Sequence, residues 1–213
     1  MVRRSHPDAT VSTRRTEAFT DGVFAIAATL LVLDLTSHTF GEVHSDGERW
    51  AALTGGWLLF NFVLSFVLLC LLWMTHVHQF EHVARVDDVM LWLNNFRLMF
   101  IVLVPFATNL TTEYPDFLAG RIAMPVTFFF AILLSWMQWQ WAMRRRAVML
   151  PDITDEEAQM SARGALSALI VSALVVVLSP FVGSIAFTLF FLEGLLGRAL
   201  HRGGRMRKAP ADG

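Results

Sequence analysis

The stretch RTEAFTDGVFAIAATLLVLDL, residues 15–35, opens with charges and closes as an almost unbroken apolar run containing one threonine. From residue 18 onward it is long enough, at about 1.5 Å per residue, to cross most of a hydrocarbon core about 30 Å thick. Successive helical residues sit about 100° apart, so Gly22, Thr29, Leu30 and Leu33 all fall within about 60° of Ile26, on one face. Asp21 falls elsewhere, about 140° from Ile26. Two readings of the stripe follow: ordinary helix packing, or a pore wall whose apolar rings exclude water when closed. Periodicity leaves both open, because the neighbouring positions are apolar too.

The rest of the chain repeats the apolar theme. Of 213 residues, 55% are hydrophobic and only 16% charged, with mean hydropathy +0.52. A soluble domain of this size carries about a quarter charged residues, so the composition points to a membrane protein. Spans are expected at about 18–35, 50–75, 90–110, 121–143, 163–179 and 184–200. The last two form a hairpin around SPFVGS (179–184), and SWMQWQWAM (135–143) reads as an interfacial aromatic belt. The expected fold is therefore an all-α membrane protein, residues 1–213 forming a single six-helix domain with a disordered tail over 203–213. An acidic segment, MLPDITDEEAQM (149–160), reads as a linker, with a capping box at Thr154 and Glu157.

An even number of spans puts both ends on one side. That side then holds every basic residue except Arg49, Arg97 and Arg121, so both termini are expected in the cytoplasm of a cell-membrane protein. No small-residue cleavage site follows the amino-terminal basic residues, which argues against a cleaved signal peptide. The single cysteine, Cys70, excludes a disulfide framework within one chain.

An acid inside a span costs about 2.5–3.5 kcal/mol at the helix centre, less near a helix amino terminus. Partners at the same depth would offset this for Asp21. His76 and His78 in WMTHVHQF, and Asn94, Asn95 and Arg97 on the third span, are the available groups, so Asp21 is expected in a polar cluster joining the first three helices. His78 and His82 share a helical face, but no catalytic partner is evident, and no metal site is assigned. Glu193 is the acid nearest the middle of a later span and is a candidate proton carrier. Asp34, Glu42, Asp46 and Glu48 are expected at the external mouth, as a solvated loop or a cation-concentrating patch. Arg144, Arg145 and Arg146 suit anionic lipid, and nucleic acid is not implied.

Arg15-x-x-x-Phe19-Thr20-Asp21 followed by GVFAIAATLLVLDL resembles the first-helix signature of the transmembrane-protein-175 family, with Thr20 where that motif has serine. WMTHVHQF and LNNFRLMFIVLVPFAT add to the likeness, which covers about the first half of the chain. The resemblance implies a homotetramer with six spans per chain and a central pore lined by the first helix, passing potassium over sodium. It places a constriction at Ile26, Leu30 and Leu33 and a selectivity layer at Thr29. It implies no enzyme chemistry and no cofactor, with lipid bilayer, permeant potassium and identical subunits as partners. The alternative is a proton-coupled transporter or proton-leak pathway using Glu193 and the histidines.

Overall fold

The computed structural model describes residues 11–37, 45–47, 57–145, 148–150 and 153–192. Five of its helices are long and apolar enough to cross a membrane. They are α1 (Thr13–Ser37), α2 (Trp57–Phe80), α3 (Asp88–Glu113), α4 (Leu118–Arg144) and α5 (Asp155–Val182). A 3-10 turn follows at Gly183–Phe187, and residues 188–192 resume a helix. Of the expected sixth span, residues 193–200 lie outside the described chain, as do Glu193, Glu42, Glu48 and Arg146.

The helices overrun the apolar segments that announce them, because capping continues a helix where hydropathy ends. α5 starts at Asp155, eight residues before the apolar run, on a capping box in which Thr154 accepts from the Glu157 N–H and Glu157 accepts from the Thr154 N–H. α3 starts on Asp87, whose carboxylate accepts from the Met90 N–H at 2.9 Å. At the other end of α5 the expected turn moves: the helix runs through Pro180 to Val182 and breaks at Gly183, whose φ of 60° favours glycine. The chain then doubles back, so that Phe190 shares a cavity of about 180 Å³ with Ala165 and Ala168 of α5.

α3 packs along α4, α4 along α5, and α1 against both α2 and α3. Phe24, Ala27 and Leu31 of α1 meet Leu68 and Leu72 of α2 and Ile101 of α3 in the main core, which Met124 and Phe128 of α4 extend. A second, smaller core caps the α2–α3 end of the bundle. It buries Phe80, Val83, Val86, Met90, Trp139, Ala142, Val148, Met149 and Ala158. Here β1 (Val11–Ser12) pairs antiparallel with β2 (Arg85–Val86), Val11 opposite Val86, and Val83 bridges Met149. The acidic linker is tied to the bundle at its start: Met149 is buried, and the Ala84 N–H donates to the Val148 carbonyl at 2.9 Å. Buried Val148 and Met149 hold the start of this segment, and Asp155, Glu156 and Glu157 form the first turn of α5.

Candidate pore helix and its anchors

Helix α1 divides its surface by spacing. Thr16, Thr20, Phe24, Ala27 and Leu31 recur at intervals of four, four, three and four, and all five are buried against the rest of the chain. Ile26, Thr29, Leu30 and Leu33 are left uncovered; Ile26 is 60% and Leu33 59% exposed. Gly22 lies on the same open side, where a Cβ would meet nothing within 4 Å among the described residues. Thr29 Oγ donates to the Ile26 carbonyl at 2.8 Å, which satisfies its hydrogen and leaves its oxygen lone pairs directed away from that bond.

Three separate polar contacts hold this orientation. Asn94 Nδ2 donates to Thr20 Oγ1 at 2.9 Å, with Thr20 0% and Asn94 1% exposed. Trp73 Nε1 donates to Asp21 Oδ1 at 2.9 Å near the exposed rim between α1 and α2. Arg97, fully buried, donates from Nη1 to His76 Nδ1 at 3.0 Å and from Nη2 to the Leu72 carbonyl at 2.9 Å. Its guanidinium also lies 5.7 Å from the centre of the Phe24 ring, on the buried seam of α1.

The structure therefore redistributes the expected cluster. Asp21 contacts neither His76, Asn94 nor Arg97; its partner is Trp73, and Thr20 takes the buried place facing Asn94. The reason is angular, since Thr20 belongs to the 16–20–24–27–31 seam and Asp21 lies one residue, about 100°, outside it. His78 points outward, 3.7 Å from Glu81, and Asn95 is exposed. Arg15 and Phe19 are exposed as well. His82 bonds the His78 carbonyl through Nδ1 and sets its ring edge-on to Trp139. Among the described residues no group of three metal-ligating side chains comes together.

Sequence reading missed a fourth site, at the base of α3. Asp87 accepts from Trp141 Nε1 at 3.0 Å and from Arg145 Nη1 at 3.0 Å besides capping α3. Burial pushes its carboxyl up, but the bonds from Met90, Trp141 and Arg145 and the Arg145 charge outweigh that and hold it below 3.8. The signal lay in the sequence as an aspartate three residues before Met90, a plain cap pattern.

A family model described as "Endosomal/lysosomal potassium channel TMEM175" matches residues 15–105, the segment carrying α1, α2 and most of α3. A crystal structure of a lysosomal potassium-selective channel TMEM175 homolog from Chamaesiphon minutus is 30% identical, with TM-score 0.58, covering 84% of this chain and 96% of that one. The chain belongs to the TMEM175 family. A potassium channel of Streptomyces collinus is 41% identical over 101 residues, 47% of this chain and 48% of the relative. The endosomal/lysosomal proton channel TMEM175 of Danio rerio is 36% identical over 135 residues, 58% of this chain and 26% of the relative. The chain thus spans about half the length, or less, of the curated relatives it matches. The TMEM175 match holds both partners of each α1 anchor: Thr20 and Asn94, Asp21 and Trp73, Phe24 and Arg97.

Proposed function

We propose that the chain is a potassium-selective channel in which four copies meet around an axis and α1 of each lines the conduit. Each copy contributes six spans and keeps both termini in the cytoplasm of the cell membrane. One observation carries this reading: α1 buries one seam in its own chain and leaves a second, Ile26, Thr29, Leu30 and Leu33, uncovered. A closed ring of helices would cover that second seam without any new element. The names of the bacterial relatives supply the ion.

Ile26 to Leu33 spans roughly 10 Å of axis, room for several stacked rings. Rings of Ile26, Leu30 and Leu33 offer an ion no replacement for its hydration shell, so they act as a dewetting constriction. Thr29 supplies the oxygen within that section, and its hydrogen is already given to the Ile26 carbonyl. The permeant ion is the only ligand this reading calls for, with no cofactor and no covalent chemistry.

Potassium flux from loaded vesicles, with sodium as comparison, tests the reading. Thr29→Ala is expected to lower the preference for potassium, and Ile26→Asn to raise flux of both ions. Wild-type flux in Ile26→Asn would move the constriction elsewhere. The animal relatives are described as proton channels, so proton conduction is the second reading, favoured if an imposed pH gradient collapses faster than potassium leaves.

A further inference from the structure

A polar chamber lies at the end of the bundle remote from Asp21 and Trp73. It encloses about 400 Å³ between the start of α2, the α3–α4 turn and the end of α5. Arg121, in the first turn of α4, reaches back across it: Nε donates to the Pro115 carbonyl at 2.7 Å and Nη1 to the Pro180 carbonyl at 2.8 Å. A guanidinium has five N–H donors, so three remain. No carboxylate pairs with it among the described residues, although Asp116 lines the same chamber.

Asn61 lines the chamber too and is only 1% exposed. Its Nδ2 donates to Thr112 Oγ1 at 3.2 Å, while its Oδ1 has no partner. Buried amide oxygens are rarely left so, and this one calls for a donor. The chamber therefore presents a cationic donor fork, an anionic acceptor and a buried neutral acceptor, with the two charges unpaired among the described residues. A simple anion would meet Asp116 and a simple cation would meet Arg121. A molecule carrying both signs satisfies each.

The surroundings say where such a molecule comes from. Phe181, 79% exposed, and Ile185 form an apolar wall beside the polar groups. Tyr114 and Phe117, in ring contact at the adjoining turn, are both exposed, as aromatic side chains are at a membrane interface. We propose that the chamber binds the phosphate–ammonium headgroup of a zwitterionic amine phospholipid. The phosphate takes the free N–H groups of Arg121, the ammonium donates to Asn61 Oδ1 and Asp116, and the acyl chains run along Phe181 and Ile185. This holds whatever ion the chain conducts.

Native mass spectrometry of the purified protein tests it, with phosphatidylethanolamine, phosphatidylcholine and phosphatidylglycerol of matched chains. Wild type should retain phosphatidylethanolamine about tenfold better than either other lipid, the scale of a lost charge-assisted bond, since choline has no N–H to donate and the glycerol headgroup no cation. Asp116→Asn, a change at an exposed position, should erase most of that preference with the unfolding temperature unchanged; Asn61→Leu should weaken it as well. Displacement by millimolar free O-phosphoethanolamine would support the headgroup chemistry with a soluble source; resistance to it supports the lipid. Equal retention of all three lipids by wild type, or an unaltered preference in Asp116→Asn, would overturn the proposal.

Discussion

Replacing Thr20 by valine removes one hydroxyl from the α1–α3 seam and leaves its shape almost intact. The bond lost is Asn94 Nδ2 to Thr20 Oγ1, 2.9 Å long and sealed from water. Side-chain hydrogen bonds between membrane helices contribute about 0.6 kcal/mol on average and about 1.7 at most. Here the cost lies toward the upper end, because Asn94 Oδ1 already has no partner and the whole amide would then be unpaired. Thr20→Val should lose about 1–2 kcal/mol, or about 2–8 °C on the scale of soluble chains this size. Asn94→Leu should lose less: it removes an unsatisfied oxygen, and the Thr20 hydroxyl can turn to its own helix carbonyl one turn back. In the double variant no polar group is left stranded, so the loss should fall short of the sum of the singles by about 0.6–1.7 kcal/mol. Thermal unfolding in detergent, followed by tryptophan fluorescence, gives all four corners of the cycle. Additivity within about 0.3–0.5 kcal/mol would refute the pin, as would a larger loss from Asn94→Leu than from Thr20→Val.

Other expectations are as specific. In a Cys70→Ala background, Ile26→Cys and Leu33→Cys should react with a charged, water-soluble thiol reagent and Val177→Cys, on α5, should not; equal inertness of all three would place α1's open face in lipid. Because the Asp87 carboxyl titrates below its unfolded value of 3.8, its contribution is complete above that pH and is lost as pH falls through the folded value. Asp87→Asn should therefore cost about 1 kcal/mol at pH 7 and progressively less toward pH 3; a gap constant with pH would sink the assignment. A Cβ on Gly120 would land on the Tyr114 carbonyl, whereas one on Gly164 meets nothing. Gly120→Ala should lower the unfolding temperature by prising α3 from α4, at about 1–3 kcal/mol, and Gly164→Ala should raise it by up to about 1 kcal/mol.

Hydropathy made five of the spans legible, and the Thr154–Glu157 spacing made the start of α5 legible. The small core at the α2–α3 end was not, and its makeup explains why. Val83, Val86, Val148 and Met149 come from connections some sixty residues apart, and two-residue strands are too short to show any period. The partner of Asp21 was hidden differently. Charge logic looked for histidine, asparagine or arginine, but a carboxylate at an exposed rim needs only one good donor, and the Trp73 indole provides it. The motif around Thr20 says nothing of burial, but its four-residue spacings to Thr16 and Phe24 place it on the inward seam.

That seam bears on the open one. A helix apolar all round has no preferred rotation in lipid, since leucine gains little by leaving one greasy neighbour for another. Rotation must then be set by pins, and α1 has them against its own chain: Thr20 on Asn94 and Phe24 beneath the Arg97 guanidinium on the inward seam, and Asp21 on Trp73 at its rim. All three lie within two turns at the amino-terminal half, ahead of Ile26. Beyond Phe24 the inward seam continues with Ala27 and Leu31 only, held by packing. The direction in which Ile26, Thr29, Leu30 and Leu33 face is thus set from one end of the helix, by groups that lie ahead of Ile26. A change at Asn94 or Arg97 should turn the whole open face while leaving its composition untouched, so these residues would act on conduction as positioning residues.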